Sequence, residues 1–187
     1  MPELGPQDLL ERLSDWMVQA SSVLVCYSGG IDSALVLAVA SRTLGGQARA
    51  MTAVSPSLAA SEKADAARVA HILKARHDFV ESNELARPGY VANGPDRCFH
   101  CKSELYALAA QKARDWQLAI VVNGTNVDDL GDYRPGLQAA SDAGVRSPLV
   151  ELGFTKADVR AVSRLLELPI WDKPAAACLS SRIPYGT

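Results

Sequence analysis

Leu9, Leu10, Leu13, Trp16 and Met17 recur at helical spacing with acids and glutamines between them, so the chain opens on an amphipathic helix that covers a core. The period then changes. Residues 23–27 form a continuous apolar, partly β-branched run ending at Ser28-Gly29-Gly30, the pattern of a strand buried on both faces of a parallel sheet. Residues 33–44, rich in Ala, Leu and Val, predict a helix closed by Gly45-Gly46. The alternation repeats as a strand over 48–54, a helix over 61–74 capped by Ser61 with Val69, Ile72 and Leu73 inward, and a short strand over 78–80. A helix over 103–116, a buried strand over 118–123 and a last strand over 145–150 follow. Thr155 and Asp158 then form a capping box before a helix with Val159, Val162, Leu165 and Leu166 on one face. Strands and helices in this order predict the α/β class: a Rossmann-like, doubly wound parallel sheet of about five strands with helices on both faces.

Length and composition fit one domain over 1–187: 48% of the 187 residues are hydrophobic and 21% charged, with no internal repeat. The longest apolar stretches, 34–40 and 118–122, are too short to cross a bilayer. The first residues, MPELGPQDLLERL, carry acids and no apolar core of a secretion signal, so a cytoplasmic location is expected. Nineteen Lys and Arg against 21 Asp and Glu give a net charge of −2, which disfavours nucleic acid as a partner. Three polar, Gly- or Pro-containing loops, 55–60, 83–97 and 123–148, interrupt the pattern, and the first and third begin at carboxyl ends of strands, where open α/β sheets bind ligands.

Ser28-Gly29-Gly30-Ile31-Asp32-Ser33 lies between a strand and a helix, so its N–H groups and the helix N-terminus converge on an anion, and a phosphate is the natural guest. It is neither a Walker A loop nor a dinucleotide GxGxxG. Asp32 among phosphates implies a cation such as Mg²⁺ or a cap at the helix start; a plain glycine turn with a Ser or Asx cap is the bland alternative. In this context SGGxDS resembles the PP-loop of ATP pyrophosphatases. The resemblance implies a loop for pyrophosphate and cleavage of ATP to AMP and pyrophosphate, with adenylation of a carbonyl-type oxygen. Ser28, Gly29, Gly30, Asp32 and Ser33, with Ser55, Gly124, Asn126 and Asp128 on the neighbouring loops, become the expected ATP and pyrophosphate residues.

Cys98-Phe99-His100-Cys101-Lys102 opens the helix expected from residue 103, where Lys102 and the helix N-terminus would lower the thiol pKa values. CxxC is half a metal site, and Cys178 is the candidate third ligand. Three cysteines leave one metal position open, which suits a 4Fe-4S cluster with a free iron; zinc with His100 as a fourth ligand and unmetallated thiols are the other readings. Cys26, inside an apolar strand, reads as a core thiol. In the loop 123–136, Asn126 and Asp128 can hold ribose, base or metal, and Arg134 can neutralise a phosphate or carboxylate.

CFHCK, DDLGDYRPG and WDKPAAACLSSRIPYG, joined in order to SGGIDS, resemble the LarE family, ATP-dependent sulfurtransferases of nickel-pincer nucleotide biosynthesis for lactate racemase. The resemblance implies adenylation of a carboxylate of pyridinium-3,5-biscarboxylic acid mononucleotide and replacement of AMP by sulfur, with ATP and Mg²⁺ required. It assigns catalysis to Cys178 and Asp32, substrate phosphate or carboxylate binding to Arg134, Ser180, Ser181 and Arg182, and metal ligation to Cys98, Cys101 and Cys178. The family contains two kinds: one sacrifices the cysteine at the position of Cys178, which becomes dehydroalanine, and one donates sulfide from a 4Fe-4S cluster. The three cysteines together favour the cluster kind. A small-molecule nucleotide substrate, a sulfide or other sulfur donor, homo-oligomerisation and a further substrate-binding and oligomer-forming region after residue 187 are implied as well. A tRNA thiolation enzyme would need a basic RNA surface that the charge balance does not suggest. A nucleotide-binding module with a structural zinc is the non-catalytic alternative, and an amidating synthetase would give the cysteines no role.

Overall fold

Strand β1 (Val23–Cys26) is buried at every position, with Val23 and Val25 in one core and Leu24 and Cys26 in another. A computed structural model, which describes residues 4–131, 135–174 and 178–186, shows why. Strands β1, β2 (Ala48–Val54), β3 (His77–Glu81) and β4 (Ile120–Val122) form one parallel sheet in the order β3-β2-β1-β4. The central strand is covered on both faces, and alternate side chains therefore enter different cores.

One core gathers α1 (Pro6–Ala20), α2 (Ile31–Leu44), α3 (Ala60–Ile72) and α8 (Lys156–Leu165). Leu13, Met17, Val36, Val69, Val159 and Val162 are fully buried there. Helix α2 is buried from Ser33 to Ala40, which accounts for its run of Ala, Leu and Val: it is enclosed rather than amphipathic. The second core sets Tyr106, Ala109 and Ala113 of α5 (Arg97–Asp115) and Ala139 and Ala140 of α6 (Pro135–Asp142) against Leu24, Cys26 and Met51. Because β4 lies on the opposite side of β1 from β2, a right-handed crossover carries α5 to the other face. Successive loops leave β1 and β4 in opposite directions, and the crevice between them is where an open sheet binds its ligand.

The doubly wound parallel architecture agrees with the alternation in the sequence, and three helix starts and one strand differ. Helix α2 begins at Ile31, and α3 begins at Ala60 with Ala59 at its N-cap, which leaves Ser61 inside the first turn. Helix α5 begins at Arg97, so the whole CFHCK segment is helical. The expected fifth strand is reduced to a single bridge between Val122 and Arg146. Pro148 has no N–H to give to a ladder, and it opens the short helix α7 (Pro148–Glu151) instead. Short helix α4 (Pro88–Val91) lies in the second polar loop. No helix among the described residues is long and apolar enough to cross a membrane.

Candidate active site

The loop after β1 turns through Gly29, whose φ of +80° places it in the left-handed region that favours glycine. A β-carbon there would also lie 3.1 Å from that of Ala66. The Ser33 hydroxyl is 3.1 Å from that of Ser28, accepts the Ser28 N–H at 3.2 Å and approaches the Gly30 carbonyl at the same distance. This closes the turn over the N-terminus of the 14-residue α2, a position suited to an anion.

Gly124, just after β4, touches the same helix start. A β-carbon on it would sit 2.5 Å from the Ser33 nitrogen and 2.8 Å from its Cα, both backbone atoms that cannot move aside. Gly124→Ala is therefore expected to cost about 1–3 kcal/mol of stability and to force the two loops apart. Thermal unfolding and ATP binding by calorimetry test this together; a variant that matches the parent in both would contradict the close approach.

Asp32, in the first turn of α2, is held from two sides. Its carboxylate pairs with the Lys156 ammonium at 2.5 Å and accepts from Asn126 Nδ2 at 3.0 Å. Asn126 is only 2% exposed, and its side-chain oxygen accepts the Asp128 N–H at 2.9 Å. Lys156 is the first residue of α8, and its backbone N–H reaches Asp128 Oδ2 at 2.7 Å. The Thr155 and Asp158 capping box is formed as the sequence predicts, and it aims this lysine at the loop. Lys156 was not foreseen; its only local signal is its place just after a cap.

A second cluster lies at the ends of β2 and β3 and centres on Glu84, which is 4% exposed. Its Oε1 accepts the hydroxyls of Ser55 and Ser57, each at 2.6 Å, while its Oε2 accepts from Cys101 Sγ at 3.4 Å and lies 3.5 Å from the Ser82 hydroxyl. Burial alone would raise its pKa, but donation from Ser55, Ser57, Cys101 and Tyr90 outweighs that and holds it below the ordinary glutamate range. Ser55, expected at the nucleotide, is thus bonded to Glu84.

The cysteine-bearing tail docks on this cluster. The Leu179 N–H donates to the Ser57 carbonyl at 3.1 Å, and Tyr90 Oη is 2.6 Å from Ser180 Oγ. Arg97, 5% exposed, donates to Asn93 Oδ1 and, at 2.7 Å, to the Ser180 carbonyl. Further along, the Asn93 side chain donates to the Pro184 carbonyl at 2.6 Å. Upstream, Lys173 bridges Glu62 and Asp65 of α3 at 2.8 and 3.3 Å. Cys178 is thereby placed between two anchors, exposed, at the same sheet edge as the loop of residues 28–33. Arg182 is exposed; Arg134 and the Ser181 side chain lie outside the described residues.

One expectation about the thiols changes. Lys102 does draw the Cys101 pKa down, yet burial first and the Glu84 charge second push it up to about 12, so Cys101 is held protonated. Cys98 is exposed, Cys101 is turned to Glu84, and among the described residues no group of three or more His, Cys, Asp or Glu is placed to hold a metal. Cys26 is a buried core thiol, as read from its strand, and burial pushes its pKa to about 12 as well.

His77 beside Thr52 has its pKa lowered by burial, and Asp78 has its own lowered chiefly by the hydrogen bond from Arg49. With Glu84 these are depressed values, so their stabilisation is present above each unfolded pKa and is lost as pH falls. The melting temperature is expected to begin dropping below about pH 6.5 through His77 and to fall further below about pH 4.5 through Glu84 and Asp78. Glu84→Gln should flatten the lower limb in a melting-temperature profile; an unchanged limb would remove Glu84 from this balance.

Residues 7–88 match the family model described as asparagine synthase. Among solved structures, the NMN synthetase of Francisella tularensis superposes with a TM-score of 0.72 at 20% identity, covering 93% of this chain and 76% of that one. The NH3-dependent NAD synthetase of Campylobacter jejuni gives 0.71 at 18%, covering 89% and 76%. The parallel strand order and the loop on α2 are thus the fold this chain shares with these synthetases. The chain is 50% identical over 177 residues to an uncharacterized Synechocystis protein, covering 95% of this chain and 66% of that protein. It is 39% identical over 166 residues to the pyridinium-3,5-bisthiocarboxylic acid mononucleotide synthase of Lactiplantibacillus plantarum, covering 88% and 60%. The chain spans about 60–66% of the length of these two relatives.

Proposed function

We propose that the protein is an ATP-dependent sulfurtransferase that converts a carboxylate of pyridinium-3,5-biscarboxylic acid mononucleotide to a thiocarboxylate. The observation that carries this reading is one sheet edge with two stations: an anion loop on α2 closed by Ser28 and Ser33, and Cys178 on a tail tied to Ser57, Tyr90 and Arg97. The 39% identity to the synthase of Lactiplantibacillus plantarum supports the choice of substrate.

In the first half-reaction the substrate carboxylate oxygen attacks the α-phosphorus of ATP and pyrophosphate leaves, held by the N–H groups of the loop. Asp32 and Asp128, both in contact with Lys156, are the hard oxygen donors that would hold Mg²⁺, which when bound would offset charge on the leaving group. Lys156 adds a positive charge at the loop and can exchange Asp32 for a phosphate oxygen.

In the second half-reaction sulfur displaces AMP from the acyl-adenylate. Of the two sources implied for the family, a cluster-borne sulfide and the Cys178 thiol, the exposure of Cys178 supports the second. The Cys178 thiolate attacks the acyl carbon and AMP departs. Loss of the Cα proton and cleavage of the Cβ–S bond then release the thiocarboxylate and leave dehydroalanine at position 178.

Incubation of the full-length protein with ATP, Mg²⁺ and the biscarboxylic nucleotide is expected to yield AMP and pyrophosphate in equal amounts, a thiocarboxylated nucleotide, and protein lighter by one hydrogen sulfide at residue 178. Release of ADP and phosphate, or of AMP without the nucleotide substrate, would contradict the assignment.

A further inference from the structure

The strap that carries Cys178 is fixed at its root before it leaves the core. Ile170 is buried, the Trp171 N–H donates to the Leu168 carbonyl at 3.1 Å, and the Lys173 N–H donates to the Ile170 carbonyl at 3.0 Å. Pro174 then keeps the Lys173 backbone out of helical conformations. The Lys173 side chain is 16% exposed, and its ammonium bridges Glu62 and Asp65 of α3 at 2.8 and 3.3 Å. Burial alone would lower its pKa, but the bonds to both carboxylates outweigh that and raise it, so the charge stays in place. Only five residues, at most about 17 Å of extended chain, separate Lys173 from Cys178.

The same helix is a wall of the anion loop. The Ala66 carbonyl accepts the hydroxyl of the buried Tyr27, the residue before Ser28, at 3.3 Å. Gly29 lies against Ala66 as well, which is why a β-carbon on it would come within 3.1 Å of the alanine side chain. Glu62, Asp65 and Ala66 are spaced i, i+3 and i+4, on one face of α3. One helix face thus holds both the loop that receives the anion and, within a turn, the lysine at the root of the Cys178 strap. Glu62 and Asp65 are 29% and 41% exposed, so the bridge adds little to stability. Its effect is on geometry, where a misplacement of about 1 Å costs roughly 10²-fold in rate.

We propose that Lys173 is a positioning residue for sulfur transfer: paired with Glu62 and Asp65, it fixes the Cys178 strap to the helix that walls the anion loop, so that the cysteine and the adenylation station keep one register. Lys173 acts through Cys178 and touches neither ATP nor the nucleotide substrate. The inference rests on the reading of Cys178 as the residue of sulfur transfer and deepens it. Adenylation needs the loop alone and is indifferent to Lys173.

The test compares full-length Lys173→Met, which keeps an unbranched side chain and removes its charge, with Lys173→Arg and with the double variant Glu62→Gln/Asp65→Asn. In Lys173→Met the single-turnover rate constant for thiocarboxylate formation is expected to fall by roughly 10²-fold, while substrate-dependent ATP–pyrophosphate exchange stays within about threefold of the parent. Lys173→Arg should recover sulfur transfer to within about tenfold of the parent. The double variant should reproduce the Lys173→Met loss, and combining the two should deepen it by less than about threefold, because the three side chains act as one unit. Hydrogen–deuterium exchange supplies a readout that needs no turnover: the amides of 178–183 should exchange at least about tenfold faster in Lys173→Met, with those of β1 and the anion loop unchanged. Sulfur transfer within about threefold of the parent, or adenylation and sulfur transfer falling together, would overturn the assignment. The two failures are distinct: thiocarboxylate formed by Cys178→Ala defeats the sulfur-transfer reading, whereas unchanged protection of the strap defeats Lys173 as its anchor.

Discussion

Lys156→Met is expected to lower the single-turnover rate constant for pyrophosphate release by roughly 10²–10³-fold, the usual effect of deleting one charged donor that acts on developing charge. Lys156 pairs with Asp32 at 2.5 Å, and its backbone N–H is bonded to Asp128, so only the side chain is removed while the cap of α8 stays. The pair is about one-quarter to one-third exposed, and its loss should leave the melting temperature nearly unchanged, as expected for an ion pair in contact with solvent. A structural lysine would give the reverse: a lowered melting temperature with that rate constant changed by less than about threefold. Lys156→Arg keeps the charge with a different reach and should retain part of the activity.

Cys178→Ala should abolish thiocarboxylate formation and the AMP release that accompanies it, and leave adenylation, read as pyrophosphate release in a single turnover, within a few-fold of the parent. This follows from the separation of the two stations. The tail that carries Cys178 is bonded to Ser57, Tyr90 and Arg97, whereas the anion loop is closed by its own serines and by the Asp32, Asn126 and Lys156 network. Cys98→Ala and Cys101→Ala discriminate between the sulfur sources. With sulfur drawn from Cys178 itself, a single turnover survives in both; with sulfur drawn from a three-cysteine cluster, each loses it as fully as Cys178→Ala. Thiocarboxylate detected by mass spectrometry in Cys178→Ala would remove this residue from sulfur transfer.

Much of the fold was legible because burial on two faces writes continuous apolar runs, and β1 and α2 are such runs. The Thr155 capping box was equally local and formed as read. What escaped depends on distance. Glu84 looks like any loop acid until the fold brings Ser55, Ser57 and Cys101 to it, and Lys156 meets Asp32 across 124 positions. The start of α5 was misplaced by six residues because the first turn, Arg97 to Lys102, is polar and sulfur-rich and lacks a side-chain cap. The fifth strand failed for the opposite reason: 145–150 has the right hydrophobicity, but Pro148 inside it cannot join a ladder. The CxxC spacing was plain in the sequence, whereas the different burial of its two thiols was not.

The central claim, adenylation at the β1–α2 loop followed by sulfur transfer at Cys178, is tested most directly by isotope exchange. Labelled pyrophosphate would be incubated with ATP, Mg²⁺ and the biscarboxylic nucleotide, using the parent, Cys178→Ala and Asp32→Asn proteins. The account predicts that label enters ATP only when the nucleotide substrate is present, persists in Cys178→Ala, where the acyl-adenylate cannot be consumed by sulfur, and is lost in Asp32→Asn. Exchange that disappears with Cys178 while surviving loss of the Asp32 carboxylate would contradict it.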